Sequence, residues 1–343
     1  MARIDEVLNT KKLLNYYRLN PQPPMLGDTL FPPKKIQAIK LDLITGANGL
    51  PVSASIHAFD TETQLHSREI LQRGGAELAL IKRKIAIKEE EIIAINTPRT
   101  DAEWNSIIDD LYNDSNLMVT AVQTRIEAMR MELLSSGKIA INENNVAVTL
   151  DYKVPKTNIV QFNWSDAKTA NPLDDLQTLA EAVENASGVR PTRAITSTKI
   201  LNQMLKCVSV RKAIWGVNSD RVITKNDLNT LLESMELPKI ATYNAKYRVQ
   251  KEDGTYTTKR YFPENAISMF SDNALGQTMF GLTAEEIELV GSKEMDVAKM
   301  VGNIFVGVEK EGDPVRRYTK AAATSLPTLA NGNELGIATV TLA

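Results

Sequence analysis

The sequence predicts an α+β fold, and three observations carry that prediction. Residues 97–137 hold a long helical repeat of apolar residues. Period-two alternation of apolar and polar residues recurs, most clearly at 39–58 and 248–260. Helical and strand-like segments are interspersed without a regular β-α-β rhythm, which disfavours a parallel α/β sheet.

Along the chain, Ile4, Val7, Leu8 and Leu14 stand at roughly helical spacing, so a short amphipathic helix is expected within residues 1–19. Pro21, Pro23, Pro24, Pro32 and Pro33 follow. Proline lacks a backbone N–H and its ring blocks the preceding helical turn, so a continuous helix and a central strand are both disfavoured. An extended arm that buries little against its own domain is expected. In residues 36–60, Ile39, Leu41 and Leu43 alternate with polar residues, as do Val52, Ala54, Ile56 and Ala58. Gly46 to Gly49 reads as the turn of a β-hairpin. Residues 65–95 continue in β character around Gly74-Gly75. The whole region reads as a projecting ribbon rather than a compact core.

The helix at 97–137 opens with a capping box, Thr100-Asp101-Ala102-Glu103, and closes at Gly137. The polar run Asn113 to Asn116 leaves open a break into two helices. Short strands follow at 138–148 and 159–164. Asn171-Pro172 opens a helix that Gly188 closes, and residues 196–236 read as mainly helical. A hairpin spans 248–260 with Asp253-Gly254 at its tip. Strands at 304–308 and 337–342 complete the reading, with a turn at Gly312-Asp313-Pro314.

Bulk composition excludes several classes. The chain has 343 residues, 43% hydrophobic and 24% charged, which is ordinary globular usage. Its formal net charge of −2 argues against a dedicated nucleic-acid binder. A single cysteine, Cys207, rules out an internal disulfide framework and fits folding in a reducing cytoplasm. No stretch of about 18 apolar residues exists, so no membrane span is expected.

The search for chemistry yields little. His57 and His66 have no Cys or carboxylate cluster at ligand spacing, and solvated or interface roles suit them. Cys207, beside Leu205 and Val208, reads as a small buried hydrophobe. Ser135-Ser136-Gly137-Lys138 lacks the upstream glycine of a phosphate loop and sits at a helix end, so it reads as a helix stop. Asp109-Asp110 and Asp174-Asp175 fit helix termini or solvated faces. No catalytic constellation, cofactor site or metal site emerges, and no enzyme is expected. The run Lys82, Arg83, Lys84, followed after Lys88 by Glu89, Glu90, Glu91, admits two readings. One is a solvated strand face. The other is a charge-coded contact between identical subunits, since adjacent blocks of opposite sign can register partners.

Read in order, the segments resemble the lambda-type major capsid protein E family of tailed bacteriophages. LFPPKKIQAIKLDLITGANGL is similar to the family's aromatic-proline arm leading into a strand and glycine turn. SREILQRGGAELALIKRKIAI resembles its Arg-Gly loop and basic strand. MRMELLSSGKIAI resembles the exit of its long helix, and NWSDAKTANPLDDLQTL its Trp…Asp-Pro-Leu segment. YFPENAISMF and FGLTAEE resemble a Phe-Pro-Asp-Asn segment, with Glu264 in the usual Asp position. GDPVRRYTKAAATSLPTLANGNELGIATV resembles the C-terminal signature. Each motif is short; their order over most of the chain carries the resemblance.

The resemblance implies the Hong Kong 97-type capsid fold. It implies an N-terminal arm at 1–35, an extended β-hairpin loop at 36–95 and a peripheral domain with a spine helix at 96–165. An axial domain follows at 166–285, a return to the peripheral domain at 286–325, and a C-terminal strand of the axial domain at 326–343. The implied function is a non-catalytic coat protein. It would self-assemble into hexamers and pentamers of an icosahedral head, built in the host cytoplasm and enclosing double-stranded DNA. Implied partners are further copies of the chain, a portal and packaged DNA held without sequence preference, with a decoration protein optional and no membrane. The chain begins almost directly at the arm, so a separate scaffolding protein is expected. Candidate inter-subunit contacts are Lys82, Arg83, Lys84, Glu89, Glu90 and Glu91, with Phe31 and Pro32 of the arm. Two other classes compete: a cellular shell of the same fold that encloses an enzyme, and an unrelated enzyme or binding domain.

Overall fold

The computed structural model describes residues 16, 23–38, 40–45, 72–97, 100–143, 146–217, 221–251, 253–291, 303–313 and 315–342. Helix α1 (Leu26–Leu30) and strand β1 (Pro33–Lys35) open the described chain, followed by β2 (Lys40–Thr45), β3 (Gln72–Glu77), β4 (Ala79–Ile87) and α2 (Glu89–Asn96). The long helix α3 (Asp101–Ser136) leads into β5 (Lys138–Glu143), β6 (Val146–Asp151) and β7 (Ile159–Asn163). Then come α4 (Pro172–Ser187), β8 (Arg193–Thr196), α5 (Thr198–Lys206), α6 (Val208–Trp215) and α7 (Lys225–Ser234). Strands β9 (Lys239–Thr242), β10 (Lys246–Gln250), β11 (Tyr256–Arg260), β12 (Ala266–Phe270) and β13 (Gly276–Gly281) precede α8 (Ala284–Gly291). Strands β14 (Phe305–Gly312), β15 (Val315–Leu329) and β16 (Gly336–Thr341) close the chain.

The chain divides into two compact units. One comprises residues 1–41, 77–129 and 278–327; the other comprises 42–76, 130–277 and 328–343. Helix α3 contributes residues to both.

In the first unit, β1, β13, β15 and β14 form a sheet in that order, and β4 joins by pairing with β15. Residues 25–35 of the N-terminal arm are built into this unit, which corrects the expectation that this stretch is extended and buries little. The prolines confine helix to a short window, and Leu26–Leu30 uses that window for one turn. The turn buries Leu30 and Phe31, at 2% and 0% exposure. The Gly27 N–H donates to both carboxylate oxygens of buried Glu127 on α3, at 3.0 and 3.2 Å. Just downstream, β1 runs parallel to β13, with Pro33 opposite Thr278 and Lys35 opposite Phe280.

Two further expectations change in this unit. Residues 79–87 are not part of a free ribbon, because β4 pairs along its length with β15 from Ala79↔Ser325 to Ile87↔Arg317. Residues 89–96 are helical, not strand. The three glutamates stand in the first turn of α2, where acidic charge is favoured by the helix dipole. That local term outweighs the strand preference of Ile92, Ile93 and Ile95.

Helix α3 runs unbroken for 36 residues, about 54 Å at 1.5 Å per residue. The Glu103 N–H donates to Thr100 Oγ1 at 3.1 Å, as the capping box predicts. The polar run does not interrupt it, because buried Ser115 returns its hydroxyl to the Leu111 carbonyl at 3.1 Å. Gly137 stops the helix at φ +69°, a left-handed conformation that side chains disfavour.

The second unit centres on a sheet ordered β7-β16-β12-β8-β9. Every residue of β12 is buried, as a central strand requires. Its core cluster draws Leu176 and Leu179 from α4, Ile200 and Met204 from α5, and Leu228 and Leu232 from α7, against Ile267, Met269 and Val340. Phe162 stacks on Trp164 with ring planes 4° apart, and the Trp164 indole N–H donates to Asp175 at 2.7 Å. Hairpins β5-β6 and β10-β11 each stand as two-stranded sheets, the second matching its predicted span. Strand β2 pairs with β3; the predicted partner at 52–58 lies outside the described residues. Of the predicted helix at 1–19, only Tyr16 is described, and it is helical.

Candidate assembly surface

The charged surface of the first unit is organised by the β4-β15 register. Lys84 stands opposite Lys320, and Lys82 opposite Ala322. Alternation along β4 therefore puts Lys82 and Lys84 on one face with Lys320 and Tyr318, and Arg83 on the other. Three lysines on one face would repel. Helix α8 supplies the compensation through Glu285, which pairs with Lys82 and with Lys320, each at 2.7 Å. Lys320 also reaches Glu309 on β14 at 2.5 Å. Lys84 lies over the Tyr318 ring, 4.3 Å from its centroid, a cation–π contact.

This network is mostly sheltered. Side-chain exposure is 13% at Glu285 and 14% at Lys320. Burial works to raise the Glu285 pKa, but hydrogen bonds from Lys320 and Lys82 outweigh it and hold the carboxyl down to about 2. For Lys320, burial works to lower the pKa; its bonds to Glu285 and Glu309 outweigh it and raise the pKa.

A second anchor joins the arm to the same unit. Lys35 Nζ donates to both oxygens of Glu286 at 2.8 and 2.9 Å, and Glu286 is 1% exposed. Glu286 also accepts from the Thr283 N–H at 3.0 Å, while the Glu286 N–H donates to Thr283 Oγ1 at 3.2 Å. That is a capping box at the start of α8. The Thr283-x-x-Glu286 spacing could have located this helix from sequence. Glu127 offered no comparable signal.

The sequence-selected residues divide into committed and uncommitted groups. Lys82 and Lys84 are engaged as described. Glu89 Oε1 accepts from the Val315 N–H at 3.0 Å, and Glu91 accepts from the Lys88 N–H at 3.1 Å. The field of Glu91, with that of Asp110, adds to burial in raising the pKa of Asp114. Phe31 is fully buried in its own unit. Pro32 is half-buried, and its carbonyl accepts from the Thr278 N–H at 3.0 Å. Arg83 and Glu90 are exposed, and among the described residues neither has a partner. No ion pair between described residues joins the basic block on β4 to the acidic block on α2.

The residues examined for chemistry take structural places. Cys207 is buried between α5 and α6, its thiol donates to the Gln203 carbonyl at 3.2 Å, and burial with the nearby Asp166 pushes its pKa up to about 11. Among the described residues no group of His, Cys, Asp or Glu could hold a metal ion, and no helix is long and apolar enough to cross a membrane. His57 and His66 lie outside the described residues.

A family model described as phage major capsid protein E matches residues 3–340. No curated protein sequence matches the chain. A prophage protein of E. coli CFT073, assigned as a capsid protein, superposes with a TM-score of 0.64 at 17% identity, over 97% of this chain and 99% of that one. A phage-related protein from Bordetella bronchiseptica RB50 superposes with a TM-score of 0.56 at 13% identity, over 99% and 98%. At such identities these likenesses speak to the fold.

Proposed function

This chain belongs to the phage major capsid protein E family, and from that premise we propose that its copies close into hexamers and pentamers of an icosahedral head around double-stranded DNA. The fold is the Hong Kong 97-type capsid fold and the role is structural, not catalytic: a virion component that associates with itself. The observation that carries the proposal is end-to-end similarity to the capsid fold, with both units included.

On this reading the unit built on α4 to α7 is the axial domain; compared with the expected 166–285 and 326–343 it also takes in 130–165, including β7, and gives up 278–285. The unit built on the β4-β15 sheet is the peripheral domain, with 77–129 and 278–327 in place of the expected 96–165 and 286–325. Residues 1–35 are the arm; β4 and α2 belong with the β4-β15 sheet, so the extended loop is confined to the part of 36–95 that precedes them. A separate scaffolding protein and a portal complete assembly in the host cytoplasm, with a decoration protein as an optional later addition. Hexamers and pentamers repeat each contact many times, so individually weak contacts suffice. An exposed ion pair contributes only about 0–1 kcal/mol.

The contact surface falls to the groups not consumed inside the chain. Arg83 and Glu90 are the charged residues of the predicted set that are open to a neighbouring copy, with half-buried Pro32 beside them in the proposal. Arg83→Glu and Glu90→Lys are each expected to leave the urea midpoint of the isolated subunit unchanged. Each should reduce the yield of closed particles seen by negative-stain microscopy after co-expression with the scaffolding protein. Full particle yield from the double variant would remove both residues from the interface.

A further inference from the structure

We infer that the exposed face of the β10-β11 hairpin is a binding surface for the phosphate backbone of nucleic acid. Cross-strand pairs place Lys246 opposite Arg260, Arg248 opposite Thr258 and Gln250 opposite Tyr256. Opposed residues of an antiparallel pair share a face, so Lys246, Arg248, Arg260 and Tyr256 stand on one side. Tyr247, Val249 and Lys259 take the other side, where Tyr247 packs on Tyr261 with ring centroids 4.7 Å apart.

The first face is open and basic. Lys246 and Arg248 are exposed, and among the described residues neither has an acidic partner; Lys251, exposed at the turn, continues the other side. Arg260 is held by Glu264 and flanks the group. Residues 246–260 hold five cations against two acids, in a chain whose formal net charge is −2. The positive charge is therefore local, which global composition conceals.

Three features favour a nucleic acid over an acidic protein surface. Tyr256 is 55% exposed, and the Arg248 guanidinium sits 5.2 Å from its ring centroid. An exposed aromatic beside arginine offers a stacking platform for an unpaired base at a strand end or opening, which an acidic peptide does not supply. Lys246 and Arg248, two residues apart on one strand, are separated by about 6.6 Å, close to the helix-axis rise of two phosphates on one DNA strand at about 3.4 Å each. A two-stranded ribbon also has the width that a major groove admits. This inference rests on the shell reading only for the source of the nucleic acid, the enclosed genome.

The test is anisotropy of a fluorescent random-sequence duplex titrated with full-length subunit at 50 and 200 mM salt. If Lys246 and Arg248 each neutralise one phosphate, the wild-type affinity falls about 12-fold between those salts, and without them that dependence is lost. Lys246→Ala/Arg248→Ala should therefore bind weakly at 50 mM and lose most of its salt dependence, with an unchanged circular dichroism melt. Lys259→Ala, on the opposite face, should bind like wild type. Absence of wild-type binding, or equal binding by the double variant, would overturn the inference. So would a double variant that binds DNA normally but no longer assembles, which would make the face a contact between copies. Particle formation by wild type is scored separately, so failure of the shell reading is distinguishable from failure of this one.

Discussion

Replacing Glu285 by Gln probes the charge network of the first unit most sharply. Gln keeps the side-chain length and an acceptor oxygen, so the change removes charge and little volume. The folded-state pKa of Glu285 is about 2 against an ordinary 4.5. A depressed carboxyl pKa contributes stability that is full above the unfolded value and lost as pH falls through 4.5 toward 2. That depression corresponds to at most about 3 kcal/mol at pH 7 and about 1.4 kcal/mol at pH 3, with solvent screening of the partly exposed Lys82 lowering both. Glu285→Gln should therefore destabilise the subunit strongly at pH 7 and by roughly half as much at pH 3. The assay is urea unfolding at both pH values, with hydrogen exchange used to localise the loss to β4, β14 and β15. Equal destabilisation at the two pH values would refute the charge argument and leave shape as the cause. No destabilisation at pH 7 would show that Lys320 is satisfied by Glu309 alone.

Three further outcomes follow from the same contacts. Glu127→Ala leaves the Gly27 N–H without its acceptor, at about 1–3 kcal/mol for a buried unsatisfied group, so amides 27–31 should exchange faster while β16 stays protected. Leu30→Ala, at a position 2% exposed, should lower stability by about 2–5 kcal/mol; a change under 1 kcal/mol in urea unfolding would mean that the arm is only loosely seated. Gly276→Ala should abolish soluble expression, because the added Cβ would stand 1.7 Å from the Thr328 carbonyl oxygen, which is backbone and cannot swing aside. Recovery of soluble Gly276→Ala with a wild-type melt would contradict that geometry.

Where a feature is set by neighbours in the chain, the sequence made it legible. Thr100 and Gly137 bracket α3, Pro172 and Gly188 bracket α4, and Asp253-Gly254 turns β10 into β11. Features set by distant partners were not legible. Nothing local says that β4 will lie along β15, some 240 positions away, and so belong to a core sheet. The prolines around the arm do exclude a continuous helix and a central strand, but they also mark the ends of a single turn that places Leu30 and Phe31 inside, which their presence alone did not reveal. The alternating blocks at 82–91 carried real information about charge. Its meaning changed once Glu285, Lys320 and Val315 were seen to engage most of it within the chain. That leaves Arg83 and Glu90 as the part of the candidate surface available to a second copy.

The most direct test of the central claim is cryo-electron microscopy of this chain co-expressed with a candidate scaffolding protein. The account predicts closed shells of hexamers and pentamers, with this fold in each subunit and Arg83 and Glu90 at boundaries between copies. A compact monomer under every assembly condition would contradict it.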